Sequence, residues 1–298
     1  MPSGEAIEAD QMSKEYQVGA LWIGGPLSYL EQLCLKSFVD AGQHIKLYTY
    51  EGVNNVPDGV EIDDANEILP QTGFLRHERT GSPALHSDVF RYHMLAKTDR
   101  TIWADTDAYC VKPFRTSNGH FYAWESEELV NGGVLGLPPD SETLGRLLDF
   151  TSDDYAIPQW YRPRYIRNLK QKRDAGSPVA ASEMPWGVWG PHALTHFLKT
   201  TGEVRHAMRP AALYPFSFSD RNLMVRRAIR IDPYITDETF SIHFYGRRMR
   251  SRLRQLEGGV PIPRSLIGRL LKKHKIDPQL APILGKVDSE NIAEDLAY

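Results

Sequence analysis

Across residues 18–50 the apolar pattern changes period twice, and this change constrains the fold more than any other stretch of the chain. Val18-Gly19-Ala20-Leu21-Trp22-Ile23 is a continuous apolar run closed by Gly24-Gly25-Pro26, as expected of a buried strand. Ser28-Tyr29-Leu30-Glu31 follows, with Ser at an N-cap and Glu at the third helical position, the pattern of a capping box. Leu30, Leu33, Cys34 and Phe38 then recur at helical spacing until Gly42 stops the helix. Over 44–50 alternation returns: Ile45, Leu47 and Thr49 fall on one face, Lys46 and Tyr48 on the other. Strand, helix and strand in this order predict a parallel crossover unit, and with it an α/β fold.

The rest of the chain continues the alternation. Val60 and Ile62 predict a short strand before a helical stretch at 64–69, and 73–81 reads as a charged, glycine-containing loop. Ser82-Pro83 opens a helix to Lys97, and Thr101–Ala104 is the next strand. Strands are expected at Phe121–Trp124, at 132–137 and near Ala212 and Ile242, with helices at 141–150 and from His192 to Gly202. Residues 151–190 read as irregular, aromatic and basic, with Trp160-Tyr161-Arg162-Pro163-Arg164-Tyr165 as a substrate-covering insertion. The expected organisation is a polar segment at 1–17, one catalytic domain over 18–255, and a basic helix with an acidic tail over 256–298.

The strand at Thr101–Ala104 runs directly into Asp105-Thr106-Asp107. On an extended chain, side chains at i and i+2 point the same way. Two neighbouring carboxylates repel and resist desolvation unless a cation joins them. A hard divalent ion, Mg²⁺ or Mn²⁺, completed by substrate phosphates, meets that need. A solvated strand end with acidic turn residues is the alternative. The preceding helix carries Ser87, Asp88 and Arg91, and the last two share a face at i and i+3. They form either an ordinary helix ion pair or a site in which Asp88 accepts from sugar hydroxyls while Arg91 balances the charge.

Ser87-Asp88-Val89-Phe90-Arg91-Tyr92-His93-Met94-Leu95-Ala96-Lys97, then Ile102-Trp103-Ala104-Asp105-Thr106-Asp107 and Val111-Lys112-Pro113-Phe114, resembles the sugar-binding region of family-32 glycosyltransferases. Leu21-Trp22-Ile23-Gly24-Gly25 resembles that family's opening strand, so the likeness covers roughly the first 140 residues. The resemblance implies a GT-A fold, a mostly parallel sheet flanked by helices with a nucleotide-sugar at the carboxyl ends of its strands. It further implies a retaining transfer of a hexose from a UDP-sugar, or alternatively GDP-mannose, to a saccharide, lipid-linked or protein hydroxyl. Carried over by position, Trp22 and Ile23 meet the nucleotide, with Trp22 stacked on the base. Ser87, Asp88 and Arg91 hold the donor sugar, Asp105 meets ribose and metal, and Asp107 ligates the metal. Asp105, Asp107 and Arg91 form the implied catalytic group. Asn131-Gly132 and Trp189, at the Trp189-Gly190-Pro191-His192 turn, fall on the acceptor side. His243 either completes the metal shell or is a satisfied core histidine at a strand end, and Gly246, Arg247 and Arg248 meet the diphosphate. An imidazole ligand suits Mn²⁺ better than Mg²⁺. One departure stands out: the family's Gly-Gly before the strand is Asp99-Arg100-Thr101 here.

A net charge of −3 argues against a nucleic-acid partner. Cys34 and Cys110 are too few for a disulfide framework. With no signal-like start and no long apolar run, the expected location is cytoplasmic. Over 264–275, Leu266, Ile267, Leu270 and Leu271 form a stripe opposite Arg269, Lys272 and Lys273. Such a helix either lies on the anionic inner membrane face or docks on the domain with its charged side solvated. Two rival readings of the whole chain are a haloacid-dehalogenase-like phosphatase using the D-x-D, and a non-catalytic nucleotide-sugar-binding module.

Overall fold

The computed structural model describes residues 16–284. Strand β1 (Gln17–Trp22), helix α1 (Tyr29–Asp40) and strand β2 (Ile45–Thr49) form the expected crossover, with β1 and β2 parallel and in register from Val18 opposite Ile45 to Trp22 opposite Thr49. Ser28 caps α1, and Glu31 returns the bond to the Ser28 backbone N–H at 2.9 Å, so the capping box forms as read. Strand β3 (Glu61–Asp64) adds in parallel to β2, and Asp64 caps the short α2 (Ala65–Ile68). Helix α3 (Ala84–Lys97) then leads into β4 (Thr101–Ala104), which pairs in parallel with β1.

After β4 come β5 (Ala108–Cys110), β6 (Phe121–Trp124), β7 (Val130–Gly136) and α4 (Glu142–Thr151). They are followed by α5 (Pro163–Asp174), α6 (Pro191–Thr201), β8 (Ser241–His243), α7 (Gly246–Arg254) and α8 (Leu266–His274). The main sheet runs β3-β2-β1-β4-β7-β6, with β7 antiparallel to both of its neighbours. The pair β5–β8 forms a separate antiparallel ribbon. The mostly parallel sheet is covered on both faces. Ile102 and Ala104 of β4 pack with Leu35 and Phe38 of α1, whereas Trp103, between them, packs with Phe90 and Met94 of α3 and Leu194 of α6. The architecture is a three-layer, Rossmann-like α/β arrangement, and it directs the carboxyl end of β4 to the rim where α3, β7 and β8 meet.

Several expectations change. The irregular 151–190 stretch contains the twelve-residue α5, and near Ala212 the chain forms a 3-10 turn (Pro210–Ala212) rather than a strand. Asp105 and Asp107 do not lie on an extended chain. The Ala108 N–H donates to the Asp105 carbonyl at 2.9 Å, so the acids occupy a tight turn between β4 and β5. At the departure from the family's Gly-Gly, Arg100 takes φ 41°, the left-handed conformation that glycine adopts without strain. Helix α8 docks on the domain: Leu266, Ile267 and Leu271 are buried in one cluster with Tyr29 and Leu33 of α1. Its apolar face therefore does not point outward, and only Arg269, Lys272 and Lys273 on the charged side are solvated. Among the described residues, no helix is long and apolar enough to cross a membrane.

Candidate active site

The turn after β4 separates the two acids into different environments. Asp105 is fixed through its backbone N–H, which donates to the Gly133 carbonyl at 2.7 Å. Its carboxylate Oδ1 accepts from the Trp103 indole N–H at 2.7 Å and from Arg91 at 3.2 Å. The cation that the pair of acids calls for is thus partly built in: the Arg91 guanidinium serves Asp105 and also meets Asp88 at 3.2 Å. Arg91 donates further to the Gly132 carbonyl at 2.7 Å, lies beside Ser87 Oγ at 3.5 Å, and stacks over Trp103 at 5.0 Å.

Asp88 and Arg91 are buried, each 6% exposed, and the electrostatics follow from that. Burial pushes the Asp88 carboxyl up to about 7, because Arg91 only partly offsets the loss of solvent and Asp105 adds to the rise. Burial also raises Asp105, against the pull of Arg91. Burial works against the charge on Arg91, yet Asp105 and Asp88 outweigh it and hold the guanidinium firmly protonated. The 3.2 Å contact between Asp88 and Arg91 and the raised Asp88 carboxyl point opposite ways. Burial decides, since a single guanidinium is divided between two acids. Gly190 explains how Asp88 is enclosed: a Cβ there would lie 2.9 Å from both carboxylate oxygens.

Asp107 turns the other way, toward α7. Its Oδ2 accepts from the Gly246 N–H at 2.5 Å, at the amino end of that helix, and a Cβ on Gly246 would come within 2.8 Å of the same oxygen. Tyr245, at φ 54°, supplies the sharp turn from β8 into α7, and the bond from Arg250 to the buried Glu31 at 2.7 Å ties α7 to the α1 cap. The other oxygen, Asp107 Oδ1, is buried and has no hydrogen-bond partner among the described residues; the same is true of His243 Nδ1. These two atoms lie 3.6 Å apart. The pairing of β5 with β8 brings them together, because it sets Ala108 opposite His243. Two orphaned, buried donor atoms of metal-ligating type fit a divalent cation that takes its remaining ligands from phosphate and water. No group of three or more His, Cys, Asp and Glu side chains converges on one point among the described residues.

The other residues singled out by sequence divide into two sets. Trp22 and Ile23 are half-buried at the carboxyl end of β1, beside β4, and the Trp22 indole N–H donates to the Gly25 carbonyl at 2.7 Å. Arg247 is exposed in the first turn of α7 and stacks over Trp186 at 5.7 Å, and Arg248 is half-buried next to it. Trp189, expected on the acceptor side, is 1% exposed and packs with Leu85 and Val188, while its carbonyl accepts from Tyr92. Gly132 supports Arg91 through its carbonyl, as described above. Asn131 orients its surroundings, accepting from the Gly133 N–H at 2.8 Å and donating to Glu125 at 2.9 Å.

Glu125 escaped the sequence reading. It follows the apolar strand β6 as Asp105 follows β4, and that parallel was the available signal. Its charge, after burial, raises the phenols of Tyr214 and Tyr245, the two rings that pack edge-on against His243. Comparison with known proteins returns no matching family model and no matching curated protein.

Proposed function

We propose that this protein is a metal-dependent glycosyltransferase of GT-A type that moves a hexose from a nucleoside-diphosphate sugar to an acceptor hydroxyl. The observation that carries the reading is the buried, unpartnered pair Asp107 Oδ1 and His243 Nδ1, 3.6 Å apart beside the Arg91-bridged acids. Asp107 and His243 would hold Mn²⁺, or less readily Mg²⁺, with Asp105 adjoining; when bound, the ion neutralises charge developing on the departing diphosphate. Asp88 and Arg91 provide a buried acceptor and donor for the hydroxyls of the sugar. The amino end of α7, with Arg247 and Arg248 in its first turn, attracts the phosphates through its N–H groups and positive charge. Trp22, at the end of the neighbouring strand, offers an aromatic face to the base. UDP is the preferred nucleotide, with GDP next.

In the phosphatase reading the first acid is the nucleophile; here Arg91 and Trp103 both hold one oxygen of that acid, Asp105 Oδ1, which favours a binding role for it. The test is titration calorimetry with UDP in the presence and absence of Mn²⁺. Expected is metal-dependent binding that Asp107→Asn abolishes, together with about a thousandfold loss of turnover of a UDP-hexose. UDP binding that ignores Mn²⁺, or an unimpaired Asp107→Asn, refutes the assignment.

A further inference from the structure

Along α6 lies a cavity of about 1400 Å³ that none of the roles above uses. One wall is a single face of α6, since His192, Thr195, His196 and Lys199 fall at i, i+3, i+4 and i+7 and all line it. The opposite face, Ala193, Leu194 and Leu198, is buried against the sheet. Thr195 locks this wall in place, because its Oγ1 accepts from the Val130 N–H at 2.9 Å. A second wall is aromatic, formed by Trp160, Tyr161 and Tyr165.

Two short stretches of chain link the cavity lining to the proposed donor site. Gly190, whose backbone abuts Asp88, precedes His192 by two residues. Glu125, bonded to Asn131, adjoins Ser126 in the lining.

Size, charge and hydrogen bonding narrow the occupant. The volume exceeds the roughly 300–1,000 Å³ of ordinary small-molecule pockets, so it suits more than one sugar ring. Arg79, Arg162 and Lys199 balance Glu78, Glu128 and Glu183 in the lining, which leaves no net field for a polyanion or a pyrophosphate-linked lipid. Burial lowers His192 and His196, keeping both rings neutral partners for hydroxyl groups. The Trp160 ring packs on Phe150 at 4.9 Å and on His196 at 5.1 Å, which fixes it in the lining. Aromatic faces also match the flat C–H faces of pyranose rings. We infer that this cleft binds the acceptor as a neutral oligosaccharide longer than one ring, laid along α6 with its reactive hydroxyl at the end nearest Asp88 and Glu125. The inference rests on the transferase reading and adds the acceptor class to it.

The test applies the full chain, saturated with Mn²⁺ and UDP, to an array of neutral, sialylated or sulfated, and lipid-pyrophosphate-linked glycans. Expected is retention of a neutral glycan longer than one ring, weakened about tenfold by Tyr161→Ala and several-fold by Trp160→Phe. Mn²⁺-dependent UDP affinity stays unchanged in both. Trp160→Phe keeps a ring packed on Phe150 and removes part of the aromatic face in the lining, so it decides the question if Tyr161→Ala fails to fold. Retention of charged glycans alone, retention indifferent to these substitutions, or no retention by a wild type that still binds UDP with Mn²⁺ overturns the inference. A wild type lacking Mn²⁺-dependent UDP affinity removes the transferase reading itself, and the inference with it.

Discussion

Arg91 faces two carboxylates at once, Asp88 and Asp105, each at 3.2 Å, and its pull on the more deeply buried Asp88 is outweighed by the loss of solvent there. The consequence is measurable as pH-dependent stability. The folded protein holds a proton on Asp88 up to about 7, whereas the unfolded chain releases it near 3.8. Stability from this group is therefore fully present below the lower value and is lost as pH rises toward the upper one. Urea unfolding of the wild type and of Asp88→Asn across that window should show the wild type losing ground as pH rises, at up to about 1.4 kcal/mol per pH unit. A difference between the two that does not vary with pH would mean that Arg91 keeps Asp88 ionised. The pairing of Asp88 with Arg91 was legible in the sequence, because helical spacing alone puts i and i+3 on one face. The divergence of Asp105 and Asp107 was not, since it depends on a turn that strand periodicity cannot reveal. The burial of Trp189 was not legible for a related reason: a motif gives a position along the chain, and only packing determines where a ring points.

At the scale of elements, the parts visible in the sequence are those defined by local rules. The capping box at Ser28 and Glu31 and the apolar strand at β4 stand where they were read. Helix α5 was missed because its apolar side is narrow, Tyr165, Ile166 and Leu169 in an otherwise charged stretch, with Leu169 alone buried. Strands β5 and β8 are three residues each and lie more than a hundred residues apart in sequence, so their pairing has no local signature. The connection from α3 to β4 carries its own test. Arg100 sits at φ 41°, in a turn whose carbonyl accepts from the Gln17 N–H at 3.1 Å. Strain there costs a non-glycine residue about 1–2 kcal/mol, and glycine recovers most of it while losing about 0.5–1 to chain entropy. Thermal melts should rank Arg100→Gly above wild type by about 0.5 kcal/mol and Arg100→Val below it by about 1 kcal/mol. Equal stability of the glycine and valine variants would mean that this turn relaxes out of the left-handed region.

At the scale of the whole molecule, the proposed donor site belongs to no single segment. Asp88 and Arg91 come from α3, Asp105 and Asp107 from the turn after β4, Gly132 and Gly133 from β7, and His243 and Gly246 from the end of β8 and the start of α7. These pieces are held together by the sheet and the β5–β8 ribbon. A ligand bridging the phosphate end and the sugar end should therefore restrain all of them at once, even though they are far apart in sequence. Hydrogen exchange with Mn²⁺ and UDP should slow together in peptides spanning 105–110, 130–134 and 241–248, while the distant edge strand β3 exchanges as before. At a concentration about a hundredfold above the dissociation constant, the same ligands should add about 2.7 kcal/mol to global stability. In Asp107→Asn both effects should disappear, since the substitution removes the anionic oxygen proposed to hold the metal beside His243. Slowing confined to one of the three peptides would place the ligand on a single element and rule out a site shared across the sheet. Uniform slowing that includes β3 would indicate general stabilisation without a bridging site.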